Sequence, residues 1–148
     1  ALAKGAPILC DCEMVGAGII RRYLPAENQV IVTLNDSAVP TRSTQIVNTR
    51  SAAAIELWEP HIKGAVVAIG NAPTALFHLL ELIDQGFPKP ACILGFPVGF
   101  VGAAESKAEL AAYPRDCEYI TLRGRRGGSA MASAAVNALS AGLPEIAT

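Results

Sequence analysis

Five short apolar runs, punctuated by Gly, Pro or Asn, recur along this chain: Pro7–Cys10, Gln29–Leu34, Ala65–Ile69, Ala91–Leu94 and Tyr119–Leu122. Runs of this length with little polar alternation are what strands buried on both faces require. The stretches between them carry helical spacing instead. Thr41 to Trp58 sets Ile46, Val47, Ala53, Ala54 and Leu57 on one face and reads as helix. A second helix begins near Pro73, extends to about Gln85, and carries Leu76, Phe77, Leu79, Leu80 and Ile83. Ala103–Ala112 and Ser129–Ser140 are alanine-rich and read as closely packed helices. Strands that alternate with helices need right-handed crossovers, which makes neighbouring strands parallel. The expected fold is α/β: a single three-layer domain over 1–148, with a mostly parallel five-stranded sheet and helices on both faces. The order of the strands is not readable from this pattern.

Composition narrows the function. With 148 residues, 51% of them hydrophobic, and a net charge of -1, the chain has one core and is not of the disordered class. No stretch approaches the roughly 18 consecutive apolar residues of a membrane span. The near-neutral charge excludes a general nucleic-acid binder, so neither nucleic acid nor membrane is an expected partner. The four cysteines form no C-x-x-C, and neither histidine stands at zinc-finger spacing from a cysteine pair. Free buried thiols are expected, with no metal site. The opening ALAKGAP has no apolar h-region, so the expected compartment is the cytoplasm.

In an open parallel sheet, ligands bind where strands end and helices begin. Three such loops have unusual composition. The first, Gly70-Asn71-Ala72-Pro73-Thr74, follows a strand directly; Asn71 or Thr74 is expected to cap the next helix, with Pro73 in its first turn. The second, Gly95-Phe96-Pro97-Val98-Gly99-Phe100-Val101-Gly102, is too long for a minimal turn. Its phenylalanines suit either the wall of a flat apolar ligand site or a plug over the sheet end, and both readings stay open. The third, Arg123-Gly124-Arg125-Arg126-Gly127-Gly128-Ser129, lies in a stretch with no acidic residue from Ile120 through Asn137. Glycines permit close backbone approach, and free N–H groups at a helix start attract anions. Arginine adds a planar fork that suits carboxylate or phosphate.

The standard nucleotide and nucleophile signatures fail. There is no G-x-x-x-x-G-K-[ST] and no G-x-S-x-G, and Gly16 and Gly18 fall inside a helix rather than opening one. His61 is expected in a loop beside Pro60, and His78 within the Pro73–Gln85 helix. From its residues alone the chain is an α/β binder of a polyanionic small molecule.

Five segments carry a family resemblance: GAPILCDCEMV (Gly5–Val15), NTRSAAAIELW (Asn48–Trp58), GAVVAIGNAPTALFHLLEL (Gly64–Leu82), ILGFPVGFVGAAESK (Ile93–Lys107) and GRRGGSAMASAAVNAL (Gly124–Leu139). In order and over nearly the whole chain, they resemble the precorrin-8X methylmutases, or precorrin isomerases, of cobalamin biosynthesis. The resemblance implies an isomerase that moves a methyl group from C11 to C12 of the corrin ring. The substrate is then precorrin-8X or cobalt-precorrin-8, the product is hydrogenobyrinic acid or its cobalt counterpart, and no cofactor is consumed. It also implies a homodimer with sites near the subunit interface. The implied substrate contacts are Arg50 above all, then Arg21, with Ser51, Gly70, Asn71, Thr74, Gly95, Pro97, Gly99, Gly102, Arg125, Gly127, Gly128 and Ser129.

The chain departs from the family pattern at its start. Family members carry an N-terminal segment containing an acid–base histidine, suited to protonating the macrocycle near neutral pH. That segment is expected to precede Ala1, and neither His61 nor His78 matches its motif, so the catalytic group is unassigned. Two functions follow from the resemblance: a methylmutase completed by that segment, or a non-catalytic corrinoid-binding or carrier protein. A nucleotide-binding domain is a third and is opposed by the missing phosphate-loop signatures.

Overall fold

The structure is a computed structural model that describes residues 1–142; the last six positions of the expected 1–148 domain lie outside the described residues. Five strands, β1 (Ile8–Cys10), β2 (Val30–Val32), β3 (Val66–Ile69), β4 (Cys92–Gly95) and β5 (Glu118–Thr121), form one sheet in the order β2-β1-β3-β4-β5. Every neighbouring pair is parallel, as in Ile8↔Val30, Ile8↔Val66, Val66↔Cys92 and Cys92↔Glu118. All five expected strands are present within a residue or two of their expected bounds, and the sheet is wholly parallel.

The helices cover both faces. On one face α3 (Arg50–Glu56), α4 (Pro73–Asp84) and α5 (Ala103–Ala112) bury Ile55, Leu76, Leu79, Leu80, Ile83 and Leu110 against Leu9, Val67, Ile69 and Ile93. On the other, α1 (Glu13–Gly18) and α6 (Ser129–Ala141) bury Val15, Ala132 and Val136 against Ile8, Cys10, Val66, Ala68 and Leu94. The alternation of strand side chains between faces divides the core into these two halves.

The helix expected over Thr41–Trp58 is two helices. α2 (Val39–Ile46) ends at Val47, whose φ of 51° is left-handed, and α3 starts three residues later at Arg50. The break has a clear local cause. Val47 and Asn48 return their N–H groups to the carbonyls of Thr44 and Ser43, closing α2, while Thr49 Oγ1 accepts the Ala52 N–H at 3.1 Å and opens α3. Ile46 and Leu57 pack around Val39, Ala53 and Ala54 as their spacing predicts, but Val47 leaves the apolar face and is 90% exposed.

Candidate functional site

The order 2-1-3-4-5 places its topological switch between β1 and β3, where the crossovers diverge and a crevice opens beyond the strand ends. Asp11, the residue after β1, governs this point. It is 2% exposed, and its carboxylate accepts the N–H groups of Gly70, Asn71 and Ala72, each at 2.9 Å. Burial pushes the carboxyl above its usual pKa, against the downward pull of the three donors. Neither Asn71 nor Thr74 supplies the expected cap of α4, whose N-cap Ala72 has no side-chain cap hydrogen bond; Asp11 instead holds the turn into the helix, through the Ala72 N–H and those of the two residues before it. No signature motif contains this aspartate. The available signal was a charged residue directly after an apolar strand, at the carboxyl end of the sheet.

Freed from capping, Thr74 is 2.7 Å from Thr49, Oγ to Oγ. That contact ties the start of α3 to the start of α4 and brings Arg50 and Ser51 beside the Gly70–Thr74 loop. Arg50 and Asn71 are exposed, and the Arg50 guanidinium makes no hydrogen bond or ion pair among the described residues. Gly70 is buried, and a Cβ there would stand 2.8 Å from Ser129 Cα and Val15 Cγ2. The first loop thus rests directly on the start of α6.

The second and third loops interlock. Gly128 N–H donates to the Phe96 carbonyl at 2.8 Å, and Gly99 N–H to the Arg125 carbonyl at 3.4 Å. A Cβ on Gly127 would lie 2.3 Å from Phe96 O and 2.5 Å from Pro97 O, so only glycine lets the two backbones meet. Val98 N–H reaches the Asn71 carbonyl at 3.4 Å, joining the second loop to the first. The two open readings of the phenylalanines divide between them. Phe96 is buried on the α1/α6 side, whereas Phe100 is 82% exposed with the Arg125 guanidinium 5.4 Å from its ring centroid. Gly95 and Pro97 are buried at the base of this loop; Gly102 is the N-cap of α5 at φ 84°. Ser129 opens α6, its Oγ 3.5 Å from Cys12 Sγ.

Thirteen of the fourteen expected contacts thus belong to the loops and helix starts at one end of the sheet. Arg21 is placed differently. Its guanidinium folds back onto the Gly16 and Ile19 carbonyls at the end of α1, at 3.0 and 3.3 Å, and lines a separate recess with Glu13, Ala17, Val30 and Val32. His61 is exposed on a turn after α3. His78 lies within α4 as expected, its Nε2 3.0 Å from Glu56 Oε1. All four thiols are free, and burial, reinforced by Asp11, pushes that of Cys10 up to about 12, leaving it protonated and unreactive. No group of three or more His, Cys, Asp or Glu side chains able to hold a metal occurs among the described residues.

Fold and site together define a doubly wound α/β protein with an open, glycine-built candidate binding face, bearing the exposed Arg50 and Arg125, at the carboxyl end of its sheet. The family model for CbiC, precorrin-8X methylmutase, matches residues 1–141, and the chain belongs to that family. Precorrin-8X methylmutase of Pseudomonas aeruginosa PAO1 is 65% identical over 140 residues, covering 95% of this chain and 67% of that protein. The Sinorhizobium sp. protein of the same name is 59% identical with the same coverage. A solved structure titled precorrin-8X methylmutase related protein superposes with a TM-score of 0.86 at 39% identity, covering 95% of this chain and 73% of that one. The chain therefore spans about two thirds of the length of these curated relatives.

Proposed function

We propose that this loop cluster binds precorrin-8X, or its cobalt form, and serves the migration of a methyl group from C11 to C12 of the corrin ring. The methyl leaves one ring carbon and joins its neighbour, so substrate and product, hydrogenobyrinic acid or its cobalt counterpart, have the same atoms. The observation that carries the reading is the placement of charge on an open surface. Neither Arg50 nor Arg125 is paired with an acid among the described residues; Arg50 opens α3, tied to the Gly70–Thr74 loop through Thr49 and Thr74, and Arg125 stands on the loop that Gly127 seats against Phe96 and Pro97. A macrocycle fringed with carboxylates supplies the matching anions, and Phe100 and Val98 supply apolar surface for its ring. Ser51, Thr74 and Ser129 line the same end, and the backbone at Gly99, Gly102 and Gly128 completes it.

The protein is proposed to act as a homodimer, a reading supported by the 82% and 90% exposure of Phe100 and Val101 beside the site. Four free cysteines support a reducing compartment, the cytoplasm.

The deciding experiment follows the absorbance of precorrin-8X with this chain, beside the Pseudomonas aeruginosa relative as reference. Conversion to hydrogenobyrinic acid is the expected result for an intact catalytic site. Binding without conversion would assign residues 1–148 to holding the substrate and place the proton donor elsewhere. Failure to bind either substrate or product would overturn the proposal.

A further inference from the structure

We infer that the recess between α5 and the end of β5 is a carboxylate subsite in which Lys107 and Arg123 receive one acidic arm of the corrin; this rests on the function proposed above. The recess has a volume of about 460 Å³ and is walled by Ala104, Ala108, Ala111 and Ala112 of α5, with Thr121 and Gly124 opposite. Its two cations, Lys107 and Arg123, are without counterions among the described residues. Lys107 is 1% exposed, and its ammonium, with three N–H donors, hydrogen-bonds to the Arg126 carbonyl. No carboxylate lies within ion-pair distance of it among the described residues, and Arg123 is equally unpaired. Of the acids on the surrounding elements, Glu109 and Asp84 hold Arg115 and Asp116 holds Lys89, while Glu105 of α5 and Glu118 of β5 are exposed and within ion-pair distance of neither recess cation.

A buried ammonium with one neutral acceptor is a costly arrangement, and a carboxylate brought to it relieves the cost. Burial alone moves the Lys107 pKa, and it moves it down; no neighbouring charge offsets that shift. The walls select further. Alanine methyl groups offer apolar contact but no donors, and the Thr121 hydroxyl already donates to the Gly95 carbonyl at 2.6 Å. A short alkyl chain ending in a carboxylate, an acetate or propionate, fits both the walls and the cations. The end of β5 lies two strand spacings, about 10 Å, from that of β3, so a macrocycle resting on the loops can extend one arm this far.

Two measurements test the site separately from the proposed function. In the first, propionate is titrated into the ¹⁵N-labelled chain. The amides of Thr121 and Gly124 should shift in the wild type and stay in place in Arg123→Ala; unmoved wild-type amides overturn the subsite whatever the corrin does. In the second, hydrogenobyrinic acid and its methyl ester are titrated by absorbance. Arg123→Ala and Lys107→Met should each weaken the acid about tenfold and leave the ester unaffected. Lys107→Met also frees the Arg126 carbonyl, so the decision falls on the exposed Arg123. Unchanged affinity for the acid in Arg123→Ala, with propionate shifts intact, overturns the assignment to a corrin arm. Failure of the wild type to bind the acid at all counts against the proposed function, while the propionate experiment still decides the recess.

Discussion

At the scale of single residues, Asp11 does the most to shape the candidate site. Three consecutive N–H groups point at one buried carboxylate, which sets the path of the Gly70–Thr74 loop and satisfies the N–H of the α4 N-cap, Ala72, together. Asp11→Asn exchanges one acceptor oxygen for an amide that can only donate, and turns it on donors already aimed inward. Stability should fall by about 2–3 kcal/mol, read as a lower urea midpoint at neutral pH, and exchange of the Gly70–Ala72 amides should quicken. An unchanged midpoint would mean that the loop holds its shape without the carboxylate. Nothing in residue type alone marks this role, because a lone aspartate among apolar neighbours reads equally well as a surface turn. Arg21 shows the converse. The family resemblance implied a ligand contact there, while local geometry gives its guanidinium the terminal carbonyls of α1.

At the scale of elements, β1, β3 and β4 were legible because burial on both faces writes continuous apolar runs, whereas the edge strands β2 and β5 carry apolar runs without being buried, Tyr119 and Ile120 standing exposed; α4 was marked by Pro73, and α5 and α6 by their alanine-rich stretches. The break between α2 and α3 was hidden for a physical reason: the apolar spacing passes through it unbroken, and a valine rather than a glycine turns the chain. Val47 holds φ 51° with 90% of its surface exposed, so it accepts left-handed strain with little packing in return. Val47→Gly should raise stability by about 0.5–1 kcal/mol, visible in thermal unfolding; a loss would show that the valine packs in solution. Across the same helices, Glu56 of α3 joins Arg42 of α2 to His78 of α4, and Glu81 lies 3.5 Å from His78 Nδ1. Desolvation raises the Glu56 pKa, but the hydrogen bonds from Arg42 and His78 outweigh it and hold the carboxyl below its ordinary 4.5. A depressed carboxyl pKa contributes stability above the unfolded value and loses it as pH falls through the folded one. Wild type should thus exceed Glu56→Gln by about 1 kcal/mol at pH 7, and the gap should close below pH 4.5. A gap that persists at pH 3 would assign the effect to shape rather than charge.

At the scale of the whole molecule, the site is the meeting of three loops from distant parts of the chain, and glycines fix how closely they meet. Sequence reading found the loops, since Gly, Pro and Arg cluster there, but not their contacts: that Gly127 lies against Phe96 and Pro97 depends on β4 and β5 being neighbours, which no periodicity reports. Lys107 was hidden likewise, as a lysine on an alanine-rich helix gives no sign that it is buried. With unpaired arginines at its border, the cluster should hold hydrogenobyrinic acid less tightly as salt rises past about 0.1 M, where charges more than about 10 Å apart are screened. The slope of affinity against salt should flatten in Arg50→Ala; a wild-type affinity indifferent to salt would remove the arginines from recognition.

The aspartate under the first loop has one more consequence. Helix α4 opens at the middle of this face, where its positive end would otherwise draw an anion inward, and Asp11 neutralises that pull from beneath. What remains is a field whose unpaired cations stand along the border, Arg50 on one side and Arg125 on the other. Such a field sorts molecules by where they carry charge more than by how much. A compact anion finds its strongest attraction off-centre, while a broad uncharged ring with acids around its rim meets the field everywhere at once.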